Sequence, residues 1–117
     1  MTLPRRELPR DLLLGVLHLP PLPGSPLATP GALDEAIHKA QTDAATLLAA
    51  GFDGFVLENY GDVPFFRGSV PAYVLTCMTR IACEIPRDGA FLVLNVLRND
   101  AIGALSIAAA VGADAVR

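Results

Sequence analysis

The chain has little cysteine, and the two it has are poorly placed for a cross-link or a metal site. Cys77 and Cys83 lie six residues apart in a predicted helix, so they fall on different faces. His38 is remote from both in the pattern, and no zinc-binding spacing exists. We therefore expect two buried, reduced thiols, no disulfide and no metal site, as is usual in a cytosolic protein.

Basic clusters and long apolar runs are also absent. The net charge is -3, and without clustered positive charge a nucleic-acid-binding role is disfavoured. The longest apolar stretch, residues 101–113, is shorter than the roughly 18 residues that span a bilayer. Residues 5–17 imitate a secretory signal, but Glu7 and Asp11 interrupt them and no small-residue cleavage site follows. We predict a cytoplasmic protein without a transmembrane segment, for which peripheral membrane association stays open.

Sequence motifs of established chemistry are missing as well. No G-x-G-x-x-G follows the first predicted strand, so a dinucleotide-binding sheet has little support. No nucleophile motif and no glycine-rich phosphate loop occurs. The sequence therefore identifies no cofactor.

Three short apolar runs are present, and a helical pattern follows each of them. Residues 12–18, 53–58 and 91–96 lack alternating polarity, which predicts strands covered on both faces, as in a parallel sheet. Helices are predicted over residues 29–50, over residues 71–85 and from Asn99 or Asp100 to residue 111, with the start of a fourth strand at residues 113–117. For the first helix, Thr29 is the expected cap and Pro30 the first helical residue. Asn99 or Asp100 is the expected cap of the third.

This alternation, at a spacing of about 40 residues, predicts an α/β fold of parallel (βα) units, roughly the first half of a TIM (βα)8 barrel truncated near strand 4. The length fits one domain. We expect residues 1–11 to be a flexible lead-in and residues 12–117 to be a partial (βα) barrel domain. Such a half barrel leaves an edge strand and inner apolar surface uncovered, which favours a homo-oligomer.

Polar side chains follow each predicted strand at the point where its apolar run ends. His18, Glu58 and Asn95 hold these positions, and the carboxyl ends of barrel strands converge on one mouth. A histidine and a glutamate at such a mouth can share acid–base work, and an amide can orient a carbonyl or hydroxyl group. Asp62 and Arg98 are further candidates, Arg98 for an anionic group and Asp62 for a metal or a sugar hydroxyl.

Structural roles for the same residues stay open at this point. Glu58 could form only an ion pair with Arg98 or Arg67, Asn95 could satisfy loop backbone, and His18 could bond the proline-rich loop that follows it. His38 is interpreted as a surface histidine because it lies mid-helix, far from any strand end. Three polar residues at three strand ends favour a shared ligand over three separate structural roles.

Three blocks of sequence resemble one protein family. Residues 18–26 (HLPPLPGSP), 58–65 (ENYGDVPF) and 95–100 (NVLRND) together are similar to the BtpA/SgcQ family, and the resemblance extends from about residue 13 to residue 117. It implies a fold like that of the ribulose-phosphate-binding barrels. It also implies a link to the biogenesis or stability of membrane complexes, photosystem I in particular. Relatives with this resemblance continue to a full barrel.

The resemblance leaves two functions to be weighed. One is a role in membrane-complex biogenesis. The other is an enzyme acting on a small phosphorylated, sugar or nucleotide metabolite, with His18, Glu58 and Asn95 in catalysis. Within the matching blocks, Asn59, Asp62 and Arg98 are then the residues expected to bind the substrate.

Overall fold

A computed structural model describes residues 6–117, so the first five residues of the predicted lead-in lie outside the described residues. Strands and helices alternate along the chain. The strands are β1 (Leu14–His18), β2 (Gly54–Glu58), β3 (Phe91–Asn95) and β4 (Ala115–Val116). The helices are α1 (Ala32–Ala49), α2 (Ala72–Glu84) and α3 (Ala101–Val111). The predicted α/β fold is confirmed.

All four strands are parallel and lie in the order β1-β2-β3-β4. Each connection therefore steps in the same direction across the sheet. Because such crossovers are right-handed, successive steps in one direction place every helix on the same side, as in a (βα) barrel. A doubly wound sheet would need a reversal of direction, and none occurs between β1 and β4.

The main hydrophobic core lies between the sheet and the three helices. From β2 and β3 it takes alternate residues, Phe55, Leu57, Leu92 and Leu94, each fully buried. The intervening side chains point to the opposite side because side chains alternate along a strand. We call that opposite side the helix-free face; at mid-strand it carries Val16, Val56 and Val93, which are paired across the sheet.

The prediction that every strand is covered on both faces is correct for β2 and β3 and wrong for β1. All residues of β2 and β3 are buried, whereas Val16 is 39% exposed and His18 is exposed. In the described residues β1 has a neighbouring strand on one side only, which leaves its side chains on the helix-free face more accessible. Its apolar run gave no sign of this, because every residue before His18 is apolar or glycine.

Of the two predicted helix caps, the one at α3 is present and the one at α1 is not. Helix α1 begins at Ala32 after Gly31, and Thr29 provides no side-chain cap, so that prediction is wrong. Thr29 Oγ1 instead donates to Glu35 Oε2 at 3.2 Å. Asp100 does cap α3, where its Oδ1 accepts a hydrogen bond from Gly103 N at 2.8 Å. It also accepts from Val70 N at 2.9 Å and so ties the start of α2 to the start of α3.

A cluster of charges closes the amino-terminal end of the sheet. Asp114 lies before β4 and accepts from Leu92 N at 2.9 Å and from Arg87 Nη2 at 2.8 Å. Arg87 also donates to the carbonyl of Gly112 at 3.0 Å. The guanidinium of Arg6 lies 3.7 Å from the centre of the Phe91 ring and 3.6 Å from Asp114. These contacts lie at the end of the strands remote from Glu58.

Both cysteines are free thiols, but only one is even partly buried. Cys77 is half-buried on α2, whereas Cys83 is exposed, so the expectation that both are buried is wrong for Cys83. The buried residues of α2 are Val74, Met78, Ile81 and Ala82, and Cys83 falls on the other side of the helix. Among the three helices, none combines the length and the apolar character that a bilayer crossing requires; this statement concerns residues 6–117.

Candidate functional site

Strand register brings the three predicted catalytic residues into one row. His18 is the pairing partner of Glu58 in β1 and β2, and Glu58 is the partner of Asn95 in β2 and β3. Paired residues of a parallel sheet point to the same side, so all three side chains lie on the helix-free face at the carboxyl end of the strands. The pairing of the strands is therefore enough to place the backbones of these three residues side by side.

Glu58 is the centre of this row. It is only 7% exposed, and its Oε2 accepts a 2.6 Å hydrogen bond from Asn95 Nδ2. Its Oε1 lies 3.6 Å from His18 Nε2. Arg117, beyond β4, brings a guanidinium nitrogen to 3.9 Å from Oε2. Asn95 is therefore bonded to the buried carboxylate, and not to loop backbone as the alternative reading held.

The contacts of Glu58 also differ from the structural ion pair with Arg98 or Arg67 that the sequence left open. The basic side chains near Glu58 are those of His18 and Arg117, and no ion pair with Arg67 or Arg98 forms in the part of the chain that the structure describes. Arg98 is exposed, and its backbone N donates to the carbonyl of Phe66 at 3.2 Å. The structure therefore does not bring the Arg98 guanidinium to the buried carboxylate.

The imidazole of His18 stacks on the ring of Tyr60. The ring centroids are 4.4 Å apart and the planes differ by 25°. Tyr60 is 56% exposed, since it lies in the loop just after β2. Sequence reasoning did not single out Tyr60 or Arg117. The one available signal for Tyr60 was its position two residues after Glu58, within the motif of residues 58–65.

Asn59 and Asp62 are engaged by backbone groups. Asn59 Oδ1 accepts from Leu97 N at 2.7 Å, and its Nδ2 donates to Leu97 O at 3.3 Å, so the side chain bridges the ends of β2 and β3. Asp62 Oδ1 accepts from Leu22 N at 3.1 Å and holds the proline-rich loop. Both side chains are buried. Their observed contacts support the loops around the row and do not touch Glu58.

The charge of Asp62 also reaches the neighbouring helix α2. Burial raises the pKa of the Cys77 thiol above its ordinary value of 9.0, and the negative Asp62 raises it further. Loss of solvation raises the pKa of Tyr73 in the same way, with smaller contributions from Asp62 and Cys77. Both groups are therefore neutral near pH 7.

A pocket of about 460 Å³ lies on the outer side of α2, lined by Leu75, Thr76, Thr79, Arg80 and Cys83. It is on the helix side of the sheet, whereas the row of His18, Glu58 and Asn95 is on the helix-free face. Within residues 6–117, no group of three or more histidine, cysteine or acidic side chains could hold a metal ion.

The arrangement at the strand ends is suited to proton transfer. A carboxylate and an imidazole lie side by side, and both are side chains that serve as general acids or bases in enzymes. Asn95 fixes the carboxylate through one oxygen and leaves the other directed toward His18.

Comparison with known proteins gives one family. A model described as the BtpA family matches residues 10–117. An uncharacterized protein of Archaeoglobus fulgidus is 51% identical over 106 residues, which are 90% of this chain and 42% of that protein. An uncharacterized protein of Pyrococcus horikoshii is 49% identical, over 90% of this chain and 40% of its own length. A Synechocystis protein named photosystem I biogenesis protein BtpA is 42% identical, over 90% of this chain and 37% of its own.

The chain thus spans about two fifths of the length of the curated relatives it matches. No solved structure matches it.

Proposed function

Because the chain belongs to the BtpA family, we propose that residues 12–117 form part of a (βα) barrel enzyme that acts on a small polar metabolite. The observation that carries this proposal is the buried carboxylate of Glu58, which is held by Asn95 and lies 3.6 Å from His18. Among the described residues, Ser25 Oγ alone is a fully buried side-chain polar atom without a hydrogen-bond partner, so Glu58 Oε1 is accessible to solvent or to a ligand. Its position at the carboxyl end of parallel strands is where barrel enzymes bind their substrates.

Each residue of the row has a distinct role in this proposal. Glu58 and His18 form the acid–base pair, because they are adjacent and both accessible from the helix-free face. Asn95 is a positioning residue for Glu58. Asn59 and Asp62 hold the surrounding loops, and exposed Arg98 at the rim is available to an anionic part of the substrate.

The test is a thermal-shift screen of small metabolites on the wild-type chain and three variants. A ligand present at 100 times its dissociation constant stabilises the folded state by about 2.7 kcal/mol. That stabilisation corresponds to roughly 10–20 °C in Tm for a domain of this size. We expect His18→Ala and Glu58→Gln to remove the shift. His38→Ala is the matched control, because His38 is an exposed histidine on α1.

A wild-type chain that no metabolite stabilises would contradict the enzyme proposal. So would a ligand that stabilises wild type and Glu58→Gln equally. Circular dichroism of each variant separates loss of binding from loss of fold.

A second function, in the biogenesis of a membrane complex, is favoured by the printed name of the Synechocystis relative. Residues 10–117 would then supply the corresponding part of such a factor, at the membrane surface or in the cytoplasm. The test exchanges that part of the Synechocystis protein for this chain and measures photosystem I content by P700 absorbance. Restoration to the parental level supports the proposal, and a level equal to that of the deletion strain contradicts it. The predicted homo-oligomer remains a prediction, which light scattering of the purified chain checks.

A further inference from the structure

Arg117 extends the row of polar side chains at the carboxyl end of the strands. Leu94 of β3 is paired with Val116 of β4. The next position along both strands therefore sets Arg117 opposite Asn95, and the ladder continues there, because the backbone N of Arg117 donates to the carbonyl of Leu94 at 3.0 Å. The side chain reaches the helix-free face, where a guanidinium nitrogen lies 3.9 Å from Glu58 Oε2. The row thus has a member at the end of each of the four strands.

The guanidinium of Arg117 lies near Glu58 without being bonded to it. At 3.9 Å the contact with Oε2 is too long for a hydrogen bond. Among residues 6–117 the side chain of Arg117 donates no other hydrogen bond, and it is 68% exposed. An ion pair this exposed adds little to stability. The five N–H donors of the guanidinium are therefore available to a ligand.

The two oxygens of Glu58 face different partners. Oε2 lies toward Arg117 and accepts from Asn95 at 2.6 Å, whereas Oε1 lies 3.6 Å from His18 Nε2. The cation and the imidazole thus lie on either side of one carboxylate. A planar guanidinium recognises a carboxylate or a phosphate through two parallel hydrogen bonds. An anionic group bound to Arg117 therefore holds the rest of a small molecule over Glu58 and His18.

We propose that Arg117 binds a carboxylate or phosphate group of the substrate and so holds the rest of the molecule beside Glu58 and His18. The proposal rests on the metabolite site proposed above and adds to it the chemical class of the ligand, a small organic acid or phosphate ester. The positive charge of Arg117 offsets the repulsion between that anionic group and Glu58. The sequence predicts this role for Arg98, but Arg117 is the arginine that the structure brings to the row.

Saturation-transfer-difference NMR on the 117-residue chain tests this assignment. The probes form pairs that differ in the anionic group: glycolate with ethylene glycol, lactate with propylene glycol, and glycerate and glycerol phosphate with glycerol. At least one anionic probe should bind, and its neutral partner should bind roughly tenfold or more weakly, because hydrogen bonds to a charged group are lost. Binding of glycerate or of glycerol phosphate tells a carboxylate from a phosphate, and either result supports the assignment.

Variants of three arginines separate the roles of the side chains. Arg117→Gln should weaken binding of the anionic probe by roughly tenfold to a hundredfold, so that it binds no better than its neutral partner. Arg117→Lys keeps the charge but loses the planar pair of donors, so it should retain part of the affinity. Arg80→Gln is the matched control and should bind like wild type, because Arg80 is an exposed arginine on α2, on the helix side of the sheet. Circular dichroism verifies the fold.

Three results would overturn the assignment. The first is that no anionic probe binds the wild type, and the second is that Arg117→Gln binds the anionic probe as tightly as wild type does. The third is that Arg98→Gln, and not Arg117→Gln, removes the preference for the anionic probe. If a neutral metabolite stabilises the wild type but not Glu58→Gln while no anionic probe binds, the assignment fails and the metabolite site stands. If no molecule of any class binds, both fail.

Discussion

At the scale of single residues, the most constrained contact is the 2.6 Å hydrogen bond between Asn95 and Glu58. Replacing Asn95 with Asp changes little in shape but sets a second carboxylate against the first. We expect the free energy of unfolding at pH 7 to fall by about 3 kcal/mol, because the buried carboxylate of Glu58 loses a hydrogen-bond donor and gains a like charge beside it. The loss should shrink at pH 4, because acid neutralises one of the two groups. Urea unfolding at both pH values measures it.

The matched control for this variant is Asn99→Asp, which places the same change at an exposed position next to α3. If the two variants lower the free energy of unfolding equally, the charge of Glu58 is not the cause of the loss at Asn95→Asp.

The two thiols provide a second prediction at the scale of single residues. Burial and Asp62 raise the pKa of Cys77 above 9.0, and only the thiolate reacts with iodoacetamide. In the folded chain at pH 8.5, Cys77 should therefore react more slowly than exposed Cys83, and in urea the two rates should converge. The stabilisation that the neutral Cys77 thiol provides is complete below pH 9 and is lost as the pH rises through the higher folded-state pKa. Mass spectrometry of the two peptides measures the rates.

Asp62→Asn gives the internal control for the thiol prediction. An asparagine oxygen can still accept from Leu22 N, but the negative charge is gone. Cys77 should then react faster than in the wild type, while the rate at Cys83 stays the same. An unchanged rate at Cys77 would contradict the role given to Asp62.

At the scale of elements, Asp100 fixes the relative position of α2 and α3. Its carboxylate caps α3 through Gly103 N and also accepts from Val70 N just before α2. Asp100→Ala should lower the free energy of unfolding by about 2–4 kcal/mol, since it removes a cap and leaves a buried donor unsatisfied. Asp100→Asn should lose less, because its oxygen keeps the cap. Thermal unfolding compares the two variants.

If Asp100→Asn lowers the free energy of unfolding as much as Asp100→Ala does, then the bond to Val70 N, and not the cap, fixes α2 relative to α3. A loss below that of an exposed substitution such as Asp34→Ala on α1 would contradict both bonds.

Elements were the most predictable level of the fold, for a physical reason. Short apolar runs predict strands, and β1, β2 and β3 lie within the three predicted runs. The cap at Asp100 was readable because its partner is local in sequence. The prediction that Thr29 caps α1 is wrong because Gly31 takes a left-handed conformation, with φ of 79°, and α1 begins only after it. A run of apolar residues also does not say how many neighbouring strands a strand has, and in the described residues β1 has one.

The candidate site was predictable only in part. The rule that polar groups gather at strand ends identified His18, Glu58 and Asn95, and the register of the sheet brings them together. The sequence did not indicate that Asn59 bridges two strand ends through Leu97 or that Tyr60 stacks on His18. Those contacts depend on loop conformation, for which neither spacing nor composition gives a signal.

At the scale of the whole molecule, the charge cluster of Asp114 and Arg87 and the candidate site lie at opposite ends of the strands. Asp114 and Arg87 close the amino-terminal end, whereas Glu58 is at the carboxyl end. Asp114→Ala should lower the free energy of unfolding by about 1–3 kcal/mol, because Leu92 N and Arg87 lose a partner. Any ligand found in the screen should bind this variant as it binds the wild type. Calorimetry of unfolding and of binding on the same sample measures both.

The opposite pattern is expected for Glu58→Gln, which should lose the ligand. A variant at Asp114 that loses binding while still folded would contradict the separation of the two ends.

The pairing of β1 with β2 has a consequence for how this fold can vary. If β1 slid by a single position along its neighbour, its side chains would exchange sides, and the imidazole would be turned into the helix layer under α1. Glu58 would keep its place but lose its companion. A change that lets β1 slip by one residue against β2, even far from the carboxyl ends of the strands, would therefore separate His18 from Glu58.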